Sequence, residues 1–198
     1  MHYGLKLISP PDSEPITLEE AKHHLRLEYD FTDDDAYISS LITAARRYTE
    51  GWTSNLFMNQ GWLMTLDAFP CANYGEIVIP LRPVTEVYAI EYLDDAGVKQ
   101  TLAATSYRVD VNNFLTRIRP AYGESWPSTR AEIGNVEIRF TAGYENEAGG
   151  VPEHLKQGLL LLIGHLYENR EDSVIGVSVQ SLPRGYDALV GIDRVMGV

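Results

Sequence analysis

Residues 151–172, VPEHLKQGLLLLIGHLYENRED, constrain the fold more tightly than any other stretch of this chain. Five consecutive aliphatic residues, Leu159, Leu160, Leu161, Leu162 and Ile163, stand at the centre, and the segment then turns polar at Tyr167, Glu168, Asn169, Arg170 and Glu171. At helical spacing Leu155, Leu159, Leu162, Ile163 and Leu166 share one face, which leaves Leu160 and Leu161 on others. A helix patterned in this way needs neighbours on more than one side. Either the N-terminal helices of the same chain surround it, or a second subunit covers the remaining face. Pro152 suits the first helical turn, where its missing N–H would have no partner in any case. A helix running to Arg170 would be about 28 Å long. Its charged end, Glu168, Arg170, Glu171 and Asp172, belongs in solvent or in an ion-pair rim.

The apolar run is too short to span a bilayer, and the opening MHYGLKLISPP has neither a hydrophobic signal core nor a small-residue cleavage site. The expectation is a protein without a membrane partner, made in the cytoplasm. A single cysteine, Cys71, cannot form an internal disulfide, which fits a reducing compartment. A net charge of −12 and an isoelectric point near 4.8 repel phosphate backbones and argue against duplex binding through a basic face. Excess carboxylate is nevertheless compatible with a wall past which DNA slides without adhering.

Two helices are predicted ahead of residue 60. In PITLEEAKHHLRL, Thr17 and Glu20 have capping-box spacing, and Leu18, Ala21 and Leu25 form a stripe from which Glu19, Lys22, His23 and Arg26 are excluded. A longer helix follows over residues 33–51, capped by Thr32 or Asp33, with Ile38, Leu41, Ile42, Ala45, Thr49 and Trp52 on one face and Arg46, Arg47 and Glu50 elsewhere. From Trp62 to Tyr144 the period becomes two, as in Trp62-Met64-Leu66, Tyr107-Val109-Val111 and Val136-Ile138-Phe140. EIVIP and EVYAIEYL, apolar on both faces, read as central strands. VDVNNFLTRI reads as a hairpin turning on Asn112-Asn113, and LDDAGVKQTL as a second, looser one. The aperiodic AYGESWPSTRAEIG reads as a contact-bearing loop exposing Trp126.

The fold class is therefore α+β: a bundle of about three main helices with an antiparallel β-rich insertion between the second and third, and an extended C-terminal tail. Residues 1–60 form the N-terminal helical part, 61–144 the insertion, 145–173 the helix that completes the bundle, and 174–198 the tail.

No catalytic or cofactor chemistry is predicted. His2, His23, His24, His154 and His165 include no i,i+4 pair and no HExxH motif, and DFTDDDAY lacks the glycine and distal glutamate of a calcium loop. Cys71 has no local nucleophile signature, and no G-x-S-x-G elbow or phosphate-binding glycine loop is present. Glu76, Glu86 and Glu91 could include an acid–base pair, but sequence does not fix their separation. The chain reads as no enzyme, with no metal and no cofactor.

In order, PITLEEAKHHLRL, DDDAYISSLITAARRYTEGWT, a β-rich insert with SWP and VEIRFTAGY, VPEHLKQGLLLLIGHLYENRE and the closing LPRGYDALVGIDRV resemble the head-tail connector, or adaptor, proteins of tailed bacteriophages and gene-transfer particles. That resemblance covers nearly the whole chain. It implies a structural protein of the virion neck that assembles as a ring of about a dozen copies through a cyclic interface. The ring would lie below the portal protein, extend the channel for double-stranded DNA without sequence-specific binding, and carry a stopper or tail-completion protein. It also implies a portal-docking tail, here Leu182, Pro183, Tyr186, Leu189, Val190, Ile192, Arg194 and Val195. Leu160, Leu161, Tyr167, Arg170 and Trp126 are the expected subunit-interface residues. The alternatives are another neck component, a stopper or tail-completion protein, or a small soluble enzyme or ligand-binding domain.

Overall fold

The computed structural model describes residues 2–71, 73–144, 150–170 and 184–195. The chain divides into two compact units, one built of strands and one of helices.

In the strand unit, β1 (Tyr3–Ser9), β2 (Gln60–Leu66), β4 (Val84–Leu93), β5 (Lys99–Thr101) and β8 (Val136–Ala142) form a sheet of order β1-β2-β8-β4-β5. Every pairing in it is antiparallel. β3 (Ile77–Val78), β6 (Tyr107–Asp110) and β7 (Arg117–Pro120) form a second, of order β3-β7-β6. The alternation along β8 decides which face is inside: Val136, Ile138, Phe140 and Ala142 are buried, and Glu137, Arg139 and Thr141 lie between them half-exposed. Met64 and Leu66 on β2 and Ile90 on β4, register partners of Ile138 and Val136, are buried on that same face, and Ile77, Ile118 and Tyr107 of the smaller sheet complete the core.

Four expectations are corrected here. The first residues belong to this sheet and not to the helical part, because Tyr3, Leu5 and Leu7 alternate with Gly4 and Lys6 and pair with Leu66, Met64 and Trp62. EIVIP supplies only the two-residue β3 at the edge of the smaller sheet. β4 does lie between two strands, but register shifts at Val84/Glu86 and Val87/Ala89 rotate its side chains, and only Val84 and Ile90 are buried. Trp126 is half-buried, stacked on Phe69 with ring centroids 4.7 Å apart and donating its indole N–H to the Gly75 carbonyl at 2.6 Å. The loop instead exposes Tyr122 and Ile133.

The β6–β7 hairpin exists, but residues 111–116 close it and neither Asn112 nor Asn113 takes a positive φ. The Asp110 carboxylate organises the loop, accepting from the Arg117 guanidinium at 2.6 Å, the Asn113 amide at 2.7 Å and the Asn112 backbone N–H at 3.2 Å. The bond from Arg117 chiefly holds the Asp110 carboxyl below its ordinary pKa. Across the same strands Arg108 stands directly opposite Arg119. Like charges facing across a ladder are destabilising, so Arg108→Glu is expected to stabilise the strand unit by about 0.5 kcal/mol, measurable by thermal melting.

The helical unit contains α1 (Leu18–His24), α2 (Asp35–Thr53), α3 (Glu153–Glu168) and α4 (Arg184–Val190). Both halves of the Thr17/Glu20 capping box form. Lys22, expected off the apolar stripe, is buried, because its ammonium ties the α1–α2 connection by bonding the Tyr29 and Phe31 carbonyls and Asp35. On α2, Ile38, Leu41, Ile42, Ala45 and Thr49 are buried as the stripe predicts, but Arg46 and Glu50 are buried as well. The N-cap is Asp34, not Thr32 or Asp33, and it makes no capping bond with its side chain.

The arrangement is not three helices and an extended tail. Residues 184–190 form a fourth helix, and two glycines let it approach α3 closely. A Cβ on Gly158 would meet Val190 at 3.5 Å, and one on Gly185 would meet Leu161 at 3.3 Å. The second greasy face of α3 is thus covered by this chain's own C-terminal helix. Since 3.5 Å is ordinary contact, Gly158→Ala is expected to raise stability by about 0.5–1 kcal/mol through helix propensity. Gly158→Leu is expected to push α4 away, and hydrogen exchange over residues 184–195 reads the difference.

Candidate functional site

α3 carries the candidate surfaces of the helical unit, one at each end and one along the side that receives α4. At its N-terminal end, Ile16, Glu19 and His23 from the α1 side and Glu153, Lys156 and Leu160 from α3 line a cleft of about 470 Å³. Leu160 is 9% exposed and belongs to the cleft lining.

At the C-terminal end, the Asp34 carboxylate accepts from Tyr167 at 2.6 Å and from the Arg170 guanidinium at 2.9 Å. The guanidinium also lies over the Tyr37 ring at 4.6 Å and the Tyr167 ring at 5.2 Å. Asp34 at the start of α2 is thereby fastened to the end of α3, which is why it does not cap its own helix. The Tyr167 bond, more than the charge of Arg170, lowers the Asp34 pKa, and the same bond raises that of Tyr167. A depressed folded-state carboxyl contributes stability present above its unfolded value and lost as pH falls through the folded one. For Tyr167 the sense is opposite: the contribution is complete below its unfolded pKa and is lost as pH rises through the raised value. Tyr167→Phe is therefore expected to lower stability across the neutral range, where both contributions are fully present, and so to flatten the pH–stability profile below the ordinary carboxyl value of 3.8 and above the ordinary tyrosine value of 10.0. A pH series of thermal melts checks this.

Along the side, the C-terminal residues are fixed by four kinds of contact. Tyr186 is fully buried, its ring 5.9 Å from Trp52 and 6.4 Å from Tyr48. Thr49 donates its hydroxyl to the Ala45 carbonyl at 2.8 Å, so the 3.0 Å contact between Thr49 and Tyr186 has the tyrosine as donor. Burial raises the Tyr186 pKa, the Thr49 bond opposing it. His154 meets Asp193 at 2.6 Å, Arg194 lies over the Trp52 ring at 4.7 Å, and the Val195 N–H donates to the Thr53 carbonyl at 2.9 Å. Among the described residues no cluster of three or more His, Cys, Asp or Glu could hold a metal, and no helix is long and apolar enough to cross a membrane.

A family model of the phage gp6-like head-tail connector protein matches residues 15–80, from the α1 capping box to just past β3. A chain in the neck of the empty gene transfer agent (GTA) particle, solved with C6 symmetry, superposes at a TM-score of 0.81 with 30% identity, covering 98% of this chain and 97% of that one. The chain belongs to the gp6-like head-tail connector family. This connector also matches a chain of the native GTA virion (TM-score 0.80, 28% identity, 98% and 96% covered) and one of the native GTA neck with C12 symmetry (0.77, 27%, 98% and 97%). Membership makes it a structural protein of the virion neck.

Within the connector, the expected site residues separate. Tyr167 and Arg170 meet at one end of α3, Leu160 lines the cleft at the other, Leu161 is half-buried under Gly185, and Trp126 packs inside the strand unit. Of the expected docking residues, Tyr186 and Val190 are fully buried, Arg194 and Val195 are engaged with α2, Leu189 is half-buried and Ile192 is 71% exposed. Leu182 and Pro183 lie outside the described residues. Sequence reasoning missed Asp34 and the Arg46–Glu50 pair. The i,i+4 spacing of the latter was legible, but it carries no sign of burial.

Proposed function

We propose that this connector assembles as a cyclic ring of about a dozen copies, placed below the portal protein, where it extends the DNA channel and joins the head to a stopper or tail-completion protein. The observation that carries the reading is near-complete coverage, at 30% identity, of a chain in the neck of a particle solved with rotational symmetry. Charge distribution supports it. Residues 12–58 and 145–198 hold 18 acidic and 8 basic side chains, whereas the rest of the chain holds 10 and 8. The helical unit thus supplies the acidic wall past which double-stranded DNA moves without sequence-specific contact. Leu160 with its cleft and the Tyr167–Arg170 rim remain the proposed ring contacts of that unit. The C-terminal segment docks on the portal through Ile192 and Leu189, with Tyr186 and Val190 as its internal anchors.

Negative-stain electron microscopy of the protein alone and with the portal protein tests the assembly: rings are expected in at least one sample, and monomers in both overturn the reading. Ile192→Asp is expected to weaken portal binding at least about tenfold, or about 1.4 kcal/mol, with an unchanged melting temperature. Full-strength binding by that variant would exclude the segment as the docking element.

A further inference from the structure

The five-stranded sheet ends on β1, and all seven residues of that strand are exposed. Its register partners are not: Met64 and Leu66 on β2 are each 1% exposed, whereas Leu5 and Tyr3 opposite them are 36% and 42% exposed. Directly opposed residues of an antiparallel pair share a face. Tyr3, Leu5 and Leu7 therefore continue the core face of the sheet beyond the point where the described residues cover it. Along the side of β1 away from β2 runs a row of backbone N–H and C=O groups without a strand partner among the described residues.

Sheet edges of this kind are normally guarded by short length, charge, proline or a bulge. β5, the opposite edge, is only three residues long and contains Lys99. β1 is seven residues long, has Lys6 as its one charge and no proline, and its register shift falls at the end, between Leu7 and Ser9. Tyr3 to Leu7 thus form a regular edge, apolar on the face of Tyr3, Leu5 and Leu7, with Lys6 as its single guarding charge.

We propose that β1 is the strand through which one copy of this chain joins the next: extended backbone of the neighbouring copy pairs along Tyr3 to Leu7, and its side chains cover Tyr3, Leu5 and Leu7. The inference rests on the ring reading above and specifies its interface. Two observations select a second copy as the occupant. The similar neck chains were solved with C6 and C12 symmetry, and in a cyclic ring each subunit presents a surface that an identical neighbour covers. The contact is heterologous, since β1 against β1 would close two-fold pairs. Charge agrees, because copies of a chain carrying −12 repel one another, and the first eleven residues contain no carboxylate.

Two measurements test the proposal: hydrogen exchange over residues 3–7 in rings and in dissociated monomer, and the ring–monomer equilibrium of Leu5→Lys/Leu7→Lys. Expected are amides that exchange about tenfold or more slowly in rings, and a double variant that melts normally but forms rings at least about tenfold less readily. Rings whose β1 amides exchange as fast as in monomer overturn the strand proposal and leave the ring standing. Wild-type protein that never forms rings, with or without portal protein, overturns both. Protection of β1 that appears only when a monomer binds the portal protein overturns the second copy as occupant. Should the double variant fail to fold, exchange in the unaltered chain decides alone.

Discussion

Arg46→Ala is expected to destabilise the helical unit by about 3–5 kcal/mol, lowering the melting temperature by roughly 6–20 °C. Arg46 is 6% exposed on α2, and its guanidinium bonds Glu14 at 2.6 Å and Glu50 at 2.9 Å. Burial alone would lower the Arg46 pKa, but its carboxylate partners outweigh burial and raise it. Glu50 is also buried, and its second oxygen accepts the Phe57 N–H at 2.9 Å, so the pair anchors the chain where it leaves α2. Removing the arginine leaves a buried carboxylate without its cation, which is where most of the loss arises. Glu50→Gln keeps an acceptor for Phe57 and should lose less, about 1–2 kcal/mol. Thermal or urea melts of the two variants decide between these values. Equal losses would show that charge pairing is not what Glu50 contributes.

Tyr186→Ala should act on the same unit with comparable size, about 3–5 kcal/mol. The ring is fully buried against Trp52 and Tyr48, and its hydroxyl is the donor to Thr49. Truncation creates a cavity between α4 and α2 and strands the Thr49 acceptor. Tyr186→Phe isolates the hydrogen bond and should lose about 1 kcal/mol. The more informative readout is hydrogen exchange over residues 184–195, which should accelerate in Tyr186→Ala before the rest of the helical unit responds. Slow exchange retained there would mean that Gly158, Gly185 and the His154–Asp193 contact hold α4 without the tyrosine.

Parts of this fold are written locally and were legible. Thr17 and Glu20 define the start of α1 at a spacing only a capping box explains, and the β8 alternation of Val136, Ile138, Phe140 and Ala142 names its own inner face. The α2 stripe from Ile38 to Thr49 is a matter of helical period alone. The C-terminal segment was not legible. SVIGVSVQSLPRGYDALVGIDRV mixes glycine, proline and β-branched residues, which reads as extended chain. Its described part is helical because Tyr186 and Val190 find buried sites on α2 and α3, a gain that propensity does not record. The candidate surfaces suffered similarly: sequence offers Thr32 or Asp33 as the cap and nothing singles out Asp34 until Tyr167 and Arg170, more than 130 positions away, claim its carboxylate.

By itself the sequence determined the class of the fold, the existence of its long helices, the period-two region between them, the acidic balance and, through the order of its segments, the connector family. Tertiary structure alone decided what covers α3, that Arg46, Glu50 and Lys22 are interior, that Trp126 faces inward, and that residues 3–9 form an open sheet edge. The physical reason is range. Caps, turns and periodicity depend on residues within about one turn or one strand of each other, whereas burial and strand order depend on which distant surfaces meet.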